Sequence, residues 1–363
     1  METLTGHMVH NYSAGPCILP KEVMRKAAQA AIDFNGMGLS ILEISHRSKQ
    51  FVEVMENARS LVKELMGVPE GYEVLFLQGG ASLGFYISAI NIMKSENGKA
   101  GYLDTGTWSS KAIKEAKKLG DVEVLASSKD KNYSYIPDAV EIPTDLDFLH
   151  YTTNNTIFGT QFKQLPQCSV PLVADMSSDI FSRPVDVSKF DMIYAGAQKN
   201  MGPAGSTVYI VKKELLGKTG RDIPSMLDLE VHIGKDSMFN TPPVFPIYVA
   251  MLNLEWLKDL GGVDAIYKRN RAKADLLYDE IDRNPLFKGV AAVEDRSDMN
   301  ATFTLVDEVH KEDWDKLWND AHISGLKGHR SVGGYRASMY NALPLESVEV
   351  LVECMRALEQ KQG

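Results

Sequence analysis

The run Met192-Ile193-Tyr194-Ala195 leads directly into Gly196-Ala197-Gln198-Lys199-Asn200-Met201-Gly202-Pro203-Ala204-Gly205. Four apolar residues bounded by glycine fit a strand buried on both faces. A lysine then stands among small and apolar neighbours immediately past the strand, whereas lysines are ordinarily exposed. If it is buried, its ammonium form is disfavoured and the side chain becomes a nucleophilic amine, with small residues on either side leaving room for a ring. A surface lysine in a loop is the competing reading of the same residues.

The same texture recurs along the chain. Val74–Leu77, Ala100–Leu103, Val122–Leu125, Phe148–Thr152, Pro171–Ala174 and Thr207–Val211 are short apolar runs, and helical patterns come after two of them, from Ser82 and over Ser109–Leu119. Strands interleaved with helices imply parallel βαβ units and an α/β fold with a largely parallel sheet. From about Ile247 the pattern changes. A helical run over Tyr248–Leu260 is stopped by Gly261-Gly262, read as a C-cap, and a long helix over Val263–Asp282 comes next. A strand over Asn300–Val306 and an amphipathic helix over Leu345–Leu358 complete a smaller α+β part, with the boundary near Gly261.

Bulk properties narrow the function classes. The chain has 363 residues, 44% hydrophobic and 24% charged, enough for a sizeable core in two domains. A net charge of −9 argues against nucleic acid or an anionic membrane as partner. Cys17, Cys168 and Cys354 are far apart, and no histidine spacing suits a metal, so neither a disulfide framework nor a metal site is expected. No apolar stretch approaches a membrane span, and the expected location is the cytoplasm. Residues 1–8, with Gly6-His7-Met8, read as a vector-derived leader.

In an open parallel sheet, ligands bind at the carboxyl ends of the strands, so the residues just past each run carry the chemistry. Gln78-Gly79-Gly80-Ala81-Ser82 puts glycines at a helix N-terminus, a ready phosphate site, although such turns are commonly structural alone. Asp175 comes directly after Pro171–Ala174 and is either a helix cap or the partner of a protonated ring nitrogen. Trp108 lies past another strand, as a core residue or as a surface on which a planar ring stacks. His46-Arg47, His329-Arg330 and Arg336 lie among serines and glycines in loops, poor core material and good material for an anion pocket.

Several segments in this order closely resemble the phosphoserine aminotransferase family of fold-type I pyridoxal-phosphate enzymes. They are Asn11-Tyr12-Ser13-Ala14-Gly15-Pro16, Glu43-Ile44-Ser45-His46-Arg47, Ala174-Asp175-Met176-Ser177-Ser178, Tyr194 to Asn200, Met238-Phe239-Asn240-Thr241-Pro242-Pro243, and Lys327-Gly328-His329-Arg330 through Gly333-Gly334-Tyr335-Arg336-Ala337-Ser338. The resemblance covers the chain from Asn11 to the last helix. It implies a large cofactor domain over 22–261 with a mostly parallel seven-stranded sheet between helices. A small domain over 262–363 and an N-terminal segment, 9–21, packing with it complete the expected organisation.

The resemblance also implies roles. Lys199 carries pyridoxal phosphate as a Schiff base and shuttles a proton, Asp175 pairs with the ring nitrogen, and Trp108 stacks on the ring. Ala81, Ser82 and Gln198 serve the cofactor phosphate and Thr156 lies near the ring, while Asn240 and Thr241 reach the phosphate from the second subunit of a homodimer. Arg336 holds the substrate α-carboxylate; His46, Arg47, His329 and Arg330 bind its distal anion. Ser82 stands where some members carry an arginine, which leaves distal-anion recognition to the other basic residues.

The implied reaction moves the amino group of L-glutamate to 3-phosphohydroxypyruvate, giving 2-oxoglutarate and O-phospho-L-serine on the route to serine. The resemblance extends to 4-phosphohydroxy-L-threonine formation in pyridoxine synthesis. Competing readings are an alanine–glyoxylate or aspartate aminotransferase, a cysteine desulfurase, a cofactor-free binding protein and a Rossmann dehydrogenase. The desulfurase lacks a cysteine beside any motif, and the dehydrogenase lacks its glycine fingerprint.

Overall fold

The computed structural model describes residues 8–362, so most of the 1–8 leader lies outside the described residues. Seven strands form the central sheet: β1 (Tyr72–Leu77), β2 (Lys99–Asp104), β3 (Asp121–Ser127), β4 (Phe148–Thr152), β5 (Leu172–Asp175), β6 (Met192–Gly196) and β7 (Thr207–Lys212). Their spatial order is β1-β7-β6-β5-β4-β2-β3. The pairings from β6 through β3 are parallel, and β7 runs antiparallel to both of its neighbours. Six strands therefore share one direction and end on one edge.

The runs are apolar throughout because both faces are covered. In β1, Val74 and Phe76 enter one core while Leu75 and Leu77 enter another. In β6, Ile193 and Ala195 go to the first, Met192 and Tyr194 to the second. Helices Lys21–Ile32, Lys49–Met66 and Val244–Asp259 cover the first face; helices Gly80–Ile92 and Thr107–Ala116 cover the other. Period-2 alternation inside a wholly apolar run distributes side chains between two buried layers.

The C-terminal part has its own core. A three-stranded antiparallel sheet, Phe287–Gly289, Asn300–Leu305 and Tyr335–Ser338, packs against helices Gly262–Arg283, Lys311–Asp320 and Leu345–Gln362. Fully buried Trp314 sits edge-on to Phe287 at 4.9 Å between ring centres. The preceding helix ends at Asp259 with Leu260 as its C-cap, and left-handed Gly261, φ 100°, follows directly and is at the same time the N-cap of the long helix. The two cores change hands inside that helix, where Val263 and Ile266 join the large core and Ala274, Leu277 and Ile281 the small one.

The N-terminal segment bridges both. His10–Asn11 pairs in parallel with Ile323–Ser324, Tyr12 is buried in the small core, and its hydroxyl donates to the Ser347 carbonyl at 2.6 Å. Among the described residues, no helix is long and apolar enough to cross a membrane, and no group of three or more histidine, cysteine or acidic residues could hold a metal ion.

Candidate active site

At the carboxyl ends of β1, β2, β4, β5 and β6 lies a cavity of about 300 Å³. Ala81, Ser82, Trp108, Thr156, Asp175, Gln198, Lys199, His329 and Arg336 all line it. Two larger cavities, each about 420 Å³, lie elsewhere and hold no comparable set.

Each side chain arrives by a local device. After β1, Gly79 and Gly80 take φ of 99° and 64°, and the helix Gly80–Ile92 begins with no side-chain cap. Its first N–H groups, on Ala81 and Ser82, are thus free of an intrahelical partner, the arrangement that binds anions. After β2, Trp108 enters at the start of Thr107–Ala116, and its Nε1 is buried without a hydrogen-bond partner. Buried indole donors usually find one.

Asp175 ends β5, opposite Thr152 on one side and Tyr194 on the other. Its Oδ1 accepts from the Ser177 amide at 2.9 Å and the Ser177 hydroxyl at 2.6 Å. Burial raises the carboxyl pKa above its ordinary value, and the two Ser177 bonds work against that rise.

Lys199 is buried, and its Nζ donates to Thr156 Oγ1 at 2.8 Å. Burial lowers its pKa to about 8; Asp175 opposes the change and Arg336 adds to it. At neutral pH a useful fraction of the amine is therefore unprotonated, the requirement for a nucleophilic lysine. The amine stands 6.0 Å from the Trp108 ring centre, so indole and lysine face each other across a ring-sized space.

The cationic side is contributed by the small sheet. Arg336, on Tyr335–Ser338, donates to the Thr156 carbonyl at 3.4 Å, and its Nε is buried and unbonded. His329 Nδ1 accepts from the Ser331 amide at 3.2 Å. Burial first, then Arg336, Arg330 and Lys111, lower the His329 pKa, which favours the neutral ring.

Five of the residues singled out in the sequence are not brought to this cavity. Arg47 and Arg330 are exposed, and half-buried His46 keeps an unbonded Nε2. Asn240 lines a separate cavity of about 260 Å³ beside Gln78 and Gly79, and Thr241 accepts from Gln78 Nε2 at 2.8 Å through its carbonyl. Conversely, Ala14, Gly15, Asn154 and Ser178 line the main cavity without having been assigned a role. Asn154 and Ser178 are mutually hydrogen-bonded at 2.8 Å. The places of Asn154 and Ser178 just past the carboxyl ends of β4 and β5 were the signal that could have flagged them.

A family model described as aminotransferase class-V matches residues 9–351. The chain belongs to the class-V aminotransferase family. Within this family, it is 67% identical to the phosphoserine aminotransferase of Flavobacterium psychrophilum over 353 residues, 97% of this chain and 99% of that one. The solved phosphoserine aminotransferase of Bacillus circulans subsp. alkalophilus superimposes with a TM-score of 0.95 at 43% identity, covering 99% of this chain and 100% of that one. A phosphoserine aminotransferase structure describing radiation damage of its Schiff base gives 0.94 at 46%, covering 98% and 99%.

Proposed function

We propose that this class-V aminotransferase is a phosphoserine aminotransferase that uses pyridoxal 5'-phosphate. The observation that carries the reading is the single cavity in which a buried lysine of lowered pKa, a buried carboxylate and an arginine converge. It occurs in a chain similar over nearly its whole length to proteins of that name.

The residues present fit the cofactor. The uncapped helix start at Ala81 and Ser82 suits its phosphate. Both bonds from Ser177 fall on Asp175 Oδ1, which leaves Oδ2 for a ring N–H. The indole of Trp108 supplies an apolar ring face, with Gln198 and Thr156 at the cavity edge. When bound, the cofactor supplies an electron sink and carries the amino group between substrates.

The protein groups do the rest. Lys199 holds the cofactor through its amine and, once released, moves a proton at the substrate Cα. Asp175 keeps a proton on the ring nitrogen, and Trp108 excludes water from one ring face. Arg336 binds the α-carboxylate through its fork of donors. L-glutamate leaves as 2-oxoglutarate, and 3-phosphohydroxypyruvate leaves as O-phospho-L-serine.

His329, which lines the cavity, would meet the distal carboxylate or phosphate. His46, Arg47 and Arg330, with Asn240 and Thr241 on the cofactor phosphate, complete the site when two copies of the chain pair as a homodimer. This division explains why those five stand apart from the cavity of one chain. The same pocket would accept the phosphorylated 2-oxo acid that yields 4-phosphohydroxy-L-threonine.

The deciding assay is amino transfer from glutamate to 3-phosphohydroxypyruvate, run beside pyruvate and oxaloacetate. Preference for the phosphorylated acceptor supports the reading, and equal or better use of either plain 2-oxo acid sinks it. Measuring mass in solution tests the homodimer independently.

A further inference from the structure

Shortly past Asp175 the chain turns through Ile180-Phe181-Ser182, all three buried, and Phe181 takes the left-handed conformation at φ 59°. A bulky residue adopts that conformation only where its surroundings hold it there. Three asparagines do the holding. The side-chain amide of Asn200 donates to the Ile180 carbonyl at 3.0 Å, that of Asn341 to the Phe181 carbonyl at 2.9 Å, and that of Asn270 to the Ser182 carbonyl at 3.1 Å. Each comes from a different part of the chain. Asn200 follows Lys199, Asn341 lies just past the strand Tyr335–Ser338 that carries Arg336, and Asn270 is on the helix Gly262–Arg283 where the cores change hands.

The asparagines are also bonded to one another. The Asn341 backbone N–H donates to Asn200 Oδ1 at 3.0 Å, and Asn270 Nδ2 donates to Asn341 Oδ1 at 2.8 Å. All three are buried. Asn253, on the helix Val244–Asp259, secures the large-domain side by donating to the Asn200 carbonyl at 2.9 Å. One turn along from Asn270, Lys273 secures the small-domain side through the carbonyls of Met339 at 3.0 Å and Tyr340 at 2.8 Å. Oδ1 and Nδ2 of both Asn200 and Asn341 are thereby engaged, so a shift between the two segments would leave buried amides unpaired away from water.

We propose that Asn341 is a positioning residue for amino transfer: bonded at once to Asn200 and to the turn after Asp175, it fixes the strand that carries Arg336 relative to Lys199. The inference rests on the reading of Lys199 as the cofactor lysine and of Arg336 as the holder of the substrate α-carboxylate. With the carboxylate held at Arg336, the place of the substrate Cα before the Lys199 amine depends on how these two segments are registered. The bonds from Asn154 to Asn300 and from Thr302 to Phe158 do not involve Asn341. Removing its side chain therefore loosens the register without releasing the small sheet.

The test compares two reactions. Covalent capture of pyridoxal phosphate by cofactor-stripped protein, read from visible absorption, needs Lys199 and not Arg336. The single-turnover reaction of the loaded enzyme with glutamate needs both. In Asn341→Ala, capture should keep its wild-type rate while the glutamate reaction slows by roughly tenfold to a hundredfold, the effect of a slightly misplaced reacting group. In an Arg336→Ala background, Asn341→Ala should slow it no further, because the asparagine acts through the arginine. Capture and the glutamate reaction slowed by the same factor would mean a general structural loss and overturn the proposal. An unchanged glutamate reaction overturns it too, as does a loss that adds in full to that of Arg336→Ala. Should Asn341→Ala not fold, Asn200→Ala is read in its place, since it removes the acceptor of the Asn341 N–H, and an unchanged glutamate reaction there counts equally against the proposal. Covalent capture that persists in Lys199→Ala, or a glutamate reaction untouched by Arg336→Ala, overturns instead the function reading beneath it.

Discussion

Arg336 Nη1 donates to the carbonyl of Thr156 across 3.4 Å, while the hydroxyl of that same threonine accepts from Lys199. One residue of a short hairpin turn thus touches both the group that would hold substrate and the group that would hold cofactor. The hairpin, Asn154–Asn155 with Thr160–Gln161, is itself fastened to the small sheet. Asn154 Nδ2 bonds Asn300 Oδ1 at 2.8 Å, and Thr302 Oγ1 donates to the Phe158 carbonyl at 2.8 Å. Separation of the two cores would carry Arg336 away from Lys199.

Arg336→Ala should leave cofactor binding intact and lower kcat/KM for glutamate and phosphoserine by roughly a hundredfold, the usual cost of losing a charge-assisted fork to a carboxylate. Steady-state kinetics beside the visible spectrum separates the two effects. Unchanged turnover would refute the carboxylate role.

Asp175→Asn preserves shape and removes the charge. Amino transfer should fall by on the order of a hundredfold to a thousandfold, as when one pre-organised electrostatic partner is lost from a buried site. Cofactor should still attach to Lys199. Single-turnover reaction with glutamate gives the measurement.

Capture of pyridoxal phosphate should accelerate as pH rises through the Lys199 midpoint near 8, because only the unprotonated amine attacks. Lys199→Ala should show no covalent capture at any pH. A wild-type profile flat through that range would mean that the lysine is not the titrating group.

Lys273 bears on stability, with a definite sign. Burial lowers its pKa from 10.5 to about 7, so between those values the unfolded chain holds a proton that the folded chain lacks. Stability therefore rises with pH across that window, and the cost of the buried lysine is felt fully only below it. Urea unfolding of cofactor-stripped protein at several pH values should show that rise. The slope should be smaller in Lys273→Met, and an identical slope would show that Lys273 does not titrate there.

Much of the fold was legible before the structure. The apolar runs around Val74–Leu77, Phe148–Thr152 and Met192–Ala195 all became strands of the central sheet, since length, glycine punctuation and two-sided burial are local properties of a run. Directions were less so. Nothing in Thr207–Val211 marks it as the strand that runs against its neighbours, because a strand buried on both faces reads the same either way. Gly261-Gly262 read as an ending and proved to be a beginning as well: one helix stops at Asp259 just before them and the next starts at Gly262, as left-handed glycines serve either end of a helix.

The site divides similarly. By itself the sequence determined the chemistry available: a lysine after one strand, an aspartate after another, glycines before a helix and basic residues in loops. Side-chain type and position relative to a strand end are written locally, and they put Lys199 and Asp175 forward as candidates beside the surface-loop and helix-cap readings; the order of motifs along the chain supplied the rest. Only the tertiary structure decided which basic residues share a cavity with that lysine, and it kept His329 and Arg336 while leaving His46, Arg47 and Arg330 outside. It alone revealed that Lys199 is buried with its pKa lowered to about 8, and that burial and neighbouring cations lower the pKa of His329. Those properties depend on burial and on contacts between residues more than a hundred positions apart, and neither is encoded in any one stretch of chain.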